Sequence, residues 1–152
     1  MIVVAEIGNT TIHIAAFEES QMIEDWCLLT PKKTATENFE LEFTQFIQSQ
    51  QALFTKPQFE GWILCSVVPW LTPIFREMVR NLIGVIPIAL MRSSPLPIKL
   101  VPGKSPTIGI DRLIVAATAY DLVRRSVITV DIGTATTIDA VTEQGLFLGG
   151  II

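Results

Sequence analysis

Basic residues are few in this 152-residue chain: eleven Lys and Arg stand against fifteen Asp and Glu, for a formal charge of -4 at pH 7. With a pI near 4.9 and no Lys/Arg stripe, nucleic acid is not the expected partner. Cysteine is scarcer still. Cys27 and Cys65 lie in apolar stretches without a pairing pattern, which reads as two reduced core residues of a cytosolic protein, not a disulfide or a metal site. Long apolar runs are also missing. Stretches such as Val85 to Met91 are short and broken by proline, so they are core elements and no membrane is engaged. The chain enters its first strand at Met1 or Ile2, without a charged leader and small-residue cleavage site, and the expected location is the cytoplasm. What remains is 49% hydrophobic with a mean hydropathy of +0.48, far from a disordered composition. The length suits one ordinary domain, or a small domain and the opening of a second.

Hydrophobic periodicity then places the elements. Residues 2–7 (IVVAEI) and 11–17 (TIHIAAF) flank Gly8 and Asn9, which predicts a hairpin. A third strand covers Met22 to Leu29. Asn38 to Ser49 sets Phe39, Phe43, Phe46 and Ile47 on one helical face, a core stripe. WILCSVV is a buried strand, Trp70 to Leu82 a helix with Pro73 in its first turn, and Val85 to Ala89 another strand. His13, beside apolar neighbours on the second strand, reads as structural. Three strands, helix, strand, helix, strand is an α/β layer in which an antiparallel meander feeds parallel strands. Residues 92–108 hold four prolines and read as a long ordered loop. A helix from about Asp111 to Arg124 follows, with Asp111 as N-cap, then strands Val127 to Asp131, Thr136 to Val141 and Leu146 to Ile151. The last is apolar and uncovered, as expected of a fragment, a truncation or an edge covered by a partner.

An internal echo is the most informative feature. VAEIGNTT at 4–11 and TVDIGTATT at 129–137 each put a carboxylate at the end of an apolar strand, two residues before a glycine and a cluster of small polar residues. Gly8 and Gly133 would permit unusual φ values and close backbone approach, leaving turn N–H groups to hold phosphate oxygens. Asn9, Thr10, Thr134, Thr136 and Thr137 add neutral donors, and Glu6 and Asp131 could hold a cation or its water shell. One such turn alone serves equally well as plain hairpin geometry. Two, about 125 residues apart, suggest related lobes around a nucleotide. A third element is Gly109-Ile110-Asp111-Arg112. As structure alone, Asp111 caps a helix and Arg112 pairs with a surface carboxylate. As chemistry, Asp111 could orient and deprotonate a substrate hydroxyl while Arg112 holds an anionic group.

Through these residues the sequence resembles the type III pantothenate kinases of the acetate kinase, sugar kinase, Hsp70 and actin superfamily. EIGNT at 6–10, GIDR at 109–112 and DIGTATTID at 131–139 correspond to that family's three motifs, with SVVPWLTP at 66–73 and LPI at 96–98 between them. The resemblance implies an RNase H-like, actin-like ATPase fold, with a complete first lobe at 1–110 and the start of a second, incomplete lobe at 111–152. It implies transfer of the ATP γ-phosphoryl group to pantothenate, giving 4'-phosphopantothenate, the first step toward coenzyme A. The implied roles are Glu6 at Mg2+-ATP, Gly8, Asn9 and Thr10 in one phosphate turn, and Gly133 and Thr134 in the other. Asp111 would be the base, Gly109 and Arg112 would lie on the pantothenate side, and Asp131 would hold an activating K+ or NH4+. A homodimer with a shared pantothenate site is also implied.

The chain departs from the family in carrying Glu6 for aspartate, which pushes the carboxylate outward by about one carbon–carbon bond, where about 1 Å can cost roughly a hundredfold. It offers Leu100, Val101 and Pro102 where many members place a tyrosine against pantothenate, and it stops where members continue. These features leave open a second reading, an inactive or weak homologue acting as a binding or accessory protein. An RNase H-like nuclease is disfavoured by the acidic pI and the glycine-threonine turns.

Overall fold

The computed structural model describes residues 1–101 and 108–152. It contains two compact units, Met1–Leu90 and Met91–Ile152.

The first unit is a five-stranded sheet ordered β3-β2-β1-β4-β5, with β1 Ile2–Ile7, β2 Thr11–Glu18, β3 Gln21–Leu29, β4 Gly61–Ser66 and β5 Ile88–Ala89. The first three strands are an antiparallel meander, and β4 and β5 continue it in parallel from β1. Alternation sends Val3, Ala5 and Ile7, with Ile12, Ile14 and Ala16, to one buried face because side chains of a strand alternate between faces. Helices α1 Thr36–Ser49 and α3 Leu71–Ile83 supply the apolar stripes of that core, and a single turn α2 Gln51–Phe54 completes it. On α1, Phe39, Phe43 and Ile47 are buried at four-residue spacing. Phe43 meets Phe75 of α3 at a centroid distance of 4.9 Å and Trp62 of β4 at 6.5 Å. Gly84 ends α3 with φ 84°, and its N–H bonds to the Arg80 carbonyl at 2.9 Å; left-handed backbone at a helix end favours glycine.

Three expectations change here. The strand expected over Val85 to Ala89 shortens to Ile88–Ala89, since Pro87 has no N–H for the ladder. Cys65 is buried as expected, but Cys27 is exposed. It stands on the edge strand β3, opposite His13 and away from the helices. His13 is itself exposed, its Nε2 3.1 Å from the Thr11 hydroxyl.

The second unit is a four-stranded sheet ordered β6-β9-β8-β7, built from β6 Lys99–Leu100, β7 Val127–Ile132, β8 Thr136–Val141 and β9 Leu146–Ile151, with helix α4 Ile110–Val123. The proline-rich stretch read as loop therefore contributes a short strand, parallel to β9; the part of it at 102–107 lies outside the described residues. Helix α4 buries Ile110, Leu113, Ala116 and Ala117, and Tyr120 reaches over Gly145 to donate to the Glu143 carbonyl at 3.1 Å. The opposite sheet face carries Ile128, Val130 and Ile132, which are 57 to 81% exposed. No described helix is long and apolar enough to cross a membrane.

Candidate active site

Both halves of the sequence echo are hairpins. In the first, Glu6 pairs with His13 and Ile7 with Ile12; in the second, Asp131 pairs with Thr137 and Ile132 with Thr136. Glu6 and Asp131 therefore occupy the same hairpin position, one residue before the last ladder pair, and both are exposed. The loops differ by one residue, so Gly8 N–H closes on the Thr11 carbonyl at 2.9 Å while Gly133 N–H closes on that of Ala135 at 3.2 Å.

That geometry corrects the reason given for the glycines. Neither has a positive φ, and their N–H groups are spent within the turns instead of facing a ligand. A side chain at 8 would meet the Thr11 carbonyl at 3.1 Å, a tight fit, whereas at 133 the nearest such contact is an ordinary 3.9 Å. Close approach, not φ, is what Gly8 supplies. Asn9, Thr10, Thr134 and Thr136 of these turns are exposed.

The first turn is held from two sides. Thr30, just past β3, donates its hydroxyl to the Gly8 carbonyl at 2.7 Å and its N–H to the Thr10 carbonyl at 2.9 Å. Val67 N–H bonds to the Ile7 carbonyl at 3.0 Å. Sequence reading missed Thr30, and its only signal is a hydroxyl residue directly after an apolar strand.

In the second unit α4 begins one residue earlier than expected. Gly109 is the N-cap and Asp111 lies within the first turn, so Asp111 does not cap the helix. Its Oδ1 instead accepts from the Arg112 N–H at 2.8 Å, and the side chain is half-buried. Its negative charge in the first turn complements the helix dipole.

Arg112 is 9% exposed, and its partner is not a surface carboxylate but Asp139 of β8, 2% exposed. Nε donates to Oδ2 at 2.8 Å and Nη2 to Oδ1 at 2.6 Å, the two-point fork that arginine and carboxylate geometry allows. The Asp139 hydrogen bonds push the Arg112 pKa above its usual range, burial opposes this, and the charges of Asp139 and Asp111 add to the rise. A raised pKa stabilises the fold below its ordinary value and is lost only as pH climbs through the raised one, so this cation is constant around neutrality. Sequence reading quoted Asp139 as the end of a motif without giving it a role. The signal was a carboxylate inside an otherwise uncharged strand, TTIDAV.

The β7–β8 register puts Asp131, Thr137 and Asp139 on one sheet face. Asp131 and Asp139 are diagonal neighbours, roughly 7–8 Å apart at this spacing. The structure thus joins Arg112 and Asp139, with Asp111 next in sequence at the start of α4, and sets Asp131 on the same sheet face as Asp139, while Glu6, Asn9 and Thr10 lie at the turn of the first unit.

A family model described as type III pantothenate kinase matches residues 2–152. Solved structures share the fold. A Ppx/GppA family protein of Aquifex aeolicus superposes with a TM-score of 0.55 at 15% identity, over 99% of this chain and 49% of that one. A Porphyromonas gingivalis protein assigned as an N-acetylglucosamine kinase gives 0.51 at 11%, over 99% and 47%. One from Sinorhizobium meliloti, assigned as a 2-dehydro-3-deoxygalactonokinase, gives 0.51 at 13%, over 99% and 52%. The fold is that of the actin-like ATPases, and the chain spans about half the length of these structures.

Proposed function

This chain belongs to the type III pantothenate kinase family, and on that premise we propose that it serves ATP-dependent phosphorylation of pantothenate to 4'-phosphopantothenate. The observation that carries the reading is the pair of matched hairpins, each ending in an exposed carboxylate, together with Asp111 and Arg112 side by side at the start of α4.

In this reading Asp111 acts on the acceptor hydroxyl. One carboxylate oxygen is anchored by the Arg112 N–H at 2.8 Å, which restricts the side chain and leaves the other oxygen to accept a hydroxyl proton. Arg112 supplies donors to an anionic substrate group, with Gly109 beside it. The turns at Gly8, Asn9 and Thr10 and at Gly133 and Thr134 contribute small polar groups to phosphate. Glu6 and Asp131 are hard oxygen donors and fit Mg2+, which needs only one or two protein carboxylates when phosphates and waters complete its shell. Among the described residues no three His, Cys, Asp or Glu side chains gather as a metal cage, in keeping with an ion brought by the nucleotide. When bound, Mg2+ neutralises charge on the transferring phosphoryl group. The reading extends to K+ or NH4+ at Asp131, to a homodimer, to a division of lobes at 110/111 and to work in the cytoplasm.

The test is conversion of pantothenate by the purified chain with ATP, Mg2+ and K+, followed by mass spectrometry of the product. Asp111→Ala should lower the rate by about 10²- to 10⁴-fold, the range of a lost acid–base group. Absence of phosphopantothenate with the unaltered chain would refute the proposal.

A further inference from the structure

The structure assigns Asp139 a role in substrate binding: it is the positioning residue that fixes the Arg112 guanidinium so that its remaining edge meets the anionic group of the acceptor. This rests on the function proposed above.

An arginine has five N–H donors in a planar fork. Asp139 takes the edge formed by Nε and Nη2, which fixes both the plane and the rotation of the group. The Nη1 donors and the second Nη2 hydrogen point away from Asp139 and form the other two-point edge, the one that suits a carboxylate. Left alone, the same long side chain would sample many rotamers, and binding would have to order it.

Asp139 is held as firmly as it holds. It lies within the β8 ladder opposite Thr129 and Gly150, and Thr129 donates its hydroxyl to the Asp139 carbonyl at 3.5 Å. Gly150 of β9 makes room for it, since a Cβ there would stand 2.6 Å from Asp139 Oδ1 and would also collide with the Ile138 carbonyl. Three elements, α4, β8 and β9, therefore converge on one ion pair.

The experiment compares Asp139→Asn and Asp139→Glu with the full unaltered chain, measuring KM for pantothenate and for ATP, and the pantothenate Kd by calorimetry. The amide loses the charge and one acceptor, and the glutamate keeps the charge but shifts the fork by about one carbon–carbon bond. The expected result is a rise of roughly 10- to 100-fold in KM and Kd for pantothenate, the range typical of partners that orient a binding group, with KM for ATP within about twofold. Equal pantothenate constants in all three proteins, or parallel losses for both substrates, would overturn the assignment. If the amide variant fails to fold, the glutamate variant decides. If neither folds, the pair is a structural tie and the positioning role falls. An unaltered chain that neither binds nor phosphorylates pantothenate would end the proposed function and this inference together, whereas normal activity with unchanged variants would end this inference alone.

Discussion

Replacing Thr30 with valine removes one hydroxyl and almost nothing else, because the two side chains have nearly the same shape. The hydroxyl donates to the half-buried Gly8 carbonyl at 2.7 Å, while the Thr30 N–H bond to the Thr10 carbonyl is a backbone bond and stays. A hydrogen bond of this kind contributes about 0.5–1.5 kcal/mol net, and an acceptor left without a partner pushes the loss toward the upper end. About 1 kcal/mol is therefore expected. In melting temperature that is about 4 °C, where the ranges for a ninety-residue unit and for the whole chain meet. If the Gly8 to Thr10 turn receives phosphate, its loosening weakens Mg2+-ATP binding by up to about fivefold. Circular dichroism melts give the first quantity and titration calorimetry the second, with Thr30→Ser, which keeps the hydroxyl, as the matched control. The reasoning fails if the valine variant melts within about a degree of the unaltered chain, or if the serine variant falls as far as the valine one.

Phe43→Ala removes the ring that joins Phe39, Phe46, Trp62 and Phe75, and at 0% exposure it should cost about 3–5 kcal/mol in urea unfolding; a loss under about 1 kcal/mol would contradict the packing described. Glu6→Asp draws the carboxylate back by one methylene and should raise kcat/KM for ATP by roughly tenfold to a hundredfold. No change there would mean that the longer side chain reaches its cation equally well.

Much of the fold was legible because its signals are local. The stripe on α1 and the alternation in β1 and β2 are periodicities that any window of the sequence displays, and the two hairpins announce themselves by a repeated acid-Ile-Gly pattern. The misreadings came where a signal depends on a distant neighbour. Lys99–Leu100 becomes a strand only because β9 offers it an edge. Cys27 resembles Cys65 in its apolar surroundings and shares its sheet face, but it sits on the outer strand of the meander, where no further strand flanks it.

The chain's own pattern thus determined its long strands and helices, its two hairpins and its family, since backbone sterics and side-chain periodicity act within a few residues. Tertiary structure alone decided which faces are covered. Val3, Ala5 and Ile7 are at most 2% exposed, while the equivalent Ile128, Val130 and Ile132 are 57 to 81% exposed, though the two strands look alike in sequence. It also decided the partners of the polar groups. Arg112 and Asp139 are 27 residues apart, and Thr30 and Gly8 are 22 apart. No local rule predicts either pairing, because a buried charge or carbonyl takes whatever complementary group the packed fold brings within hydrogen-bond reach.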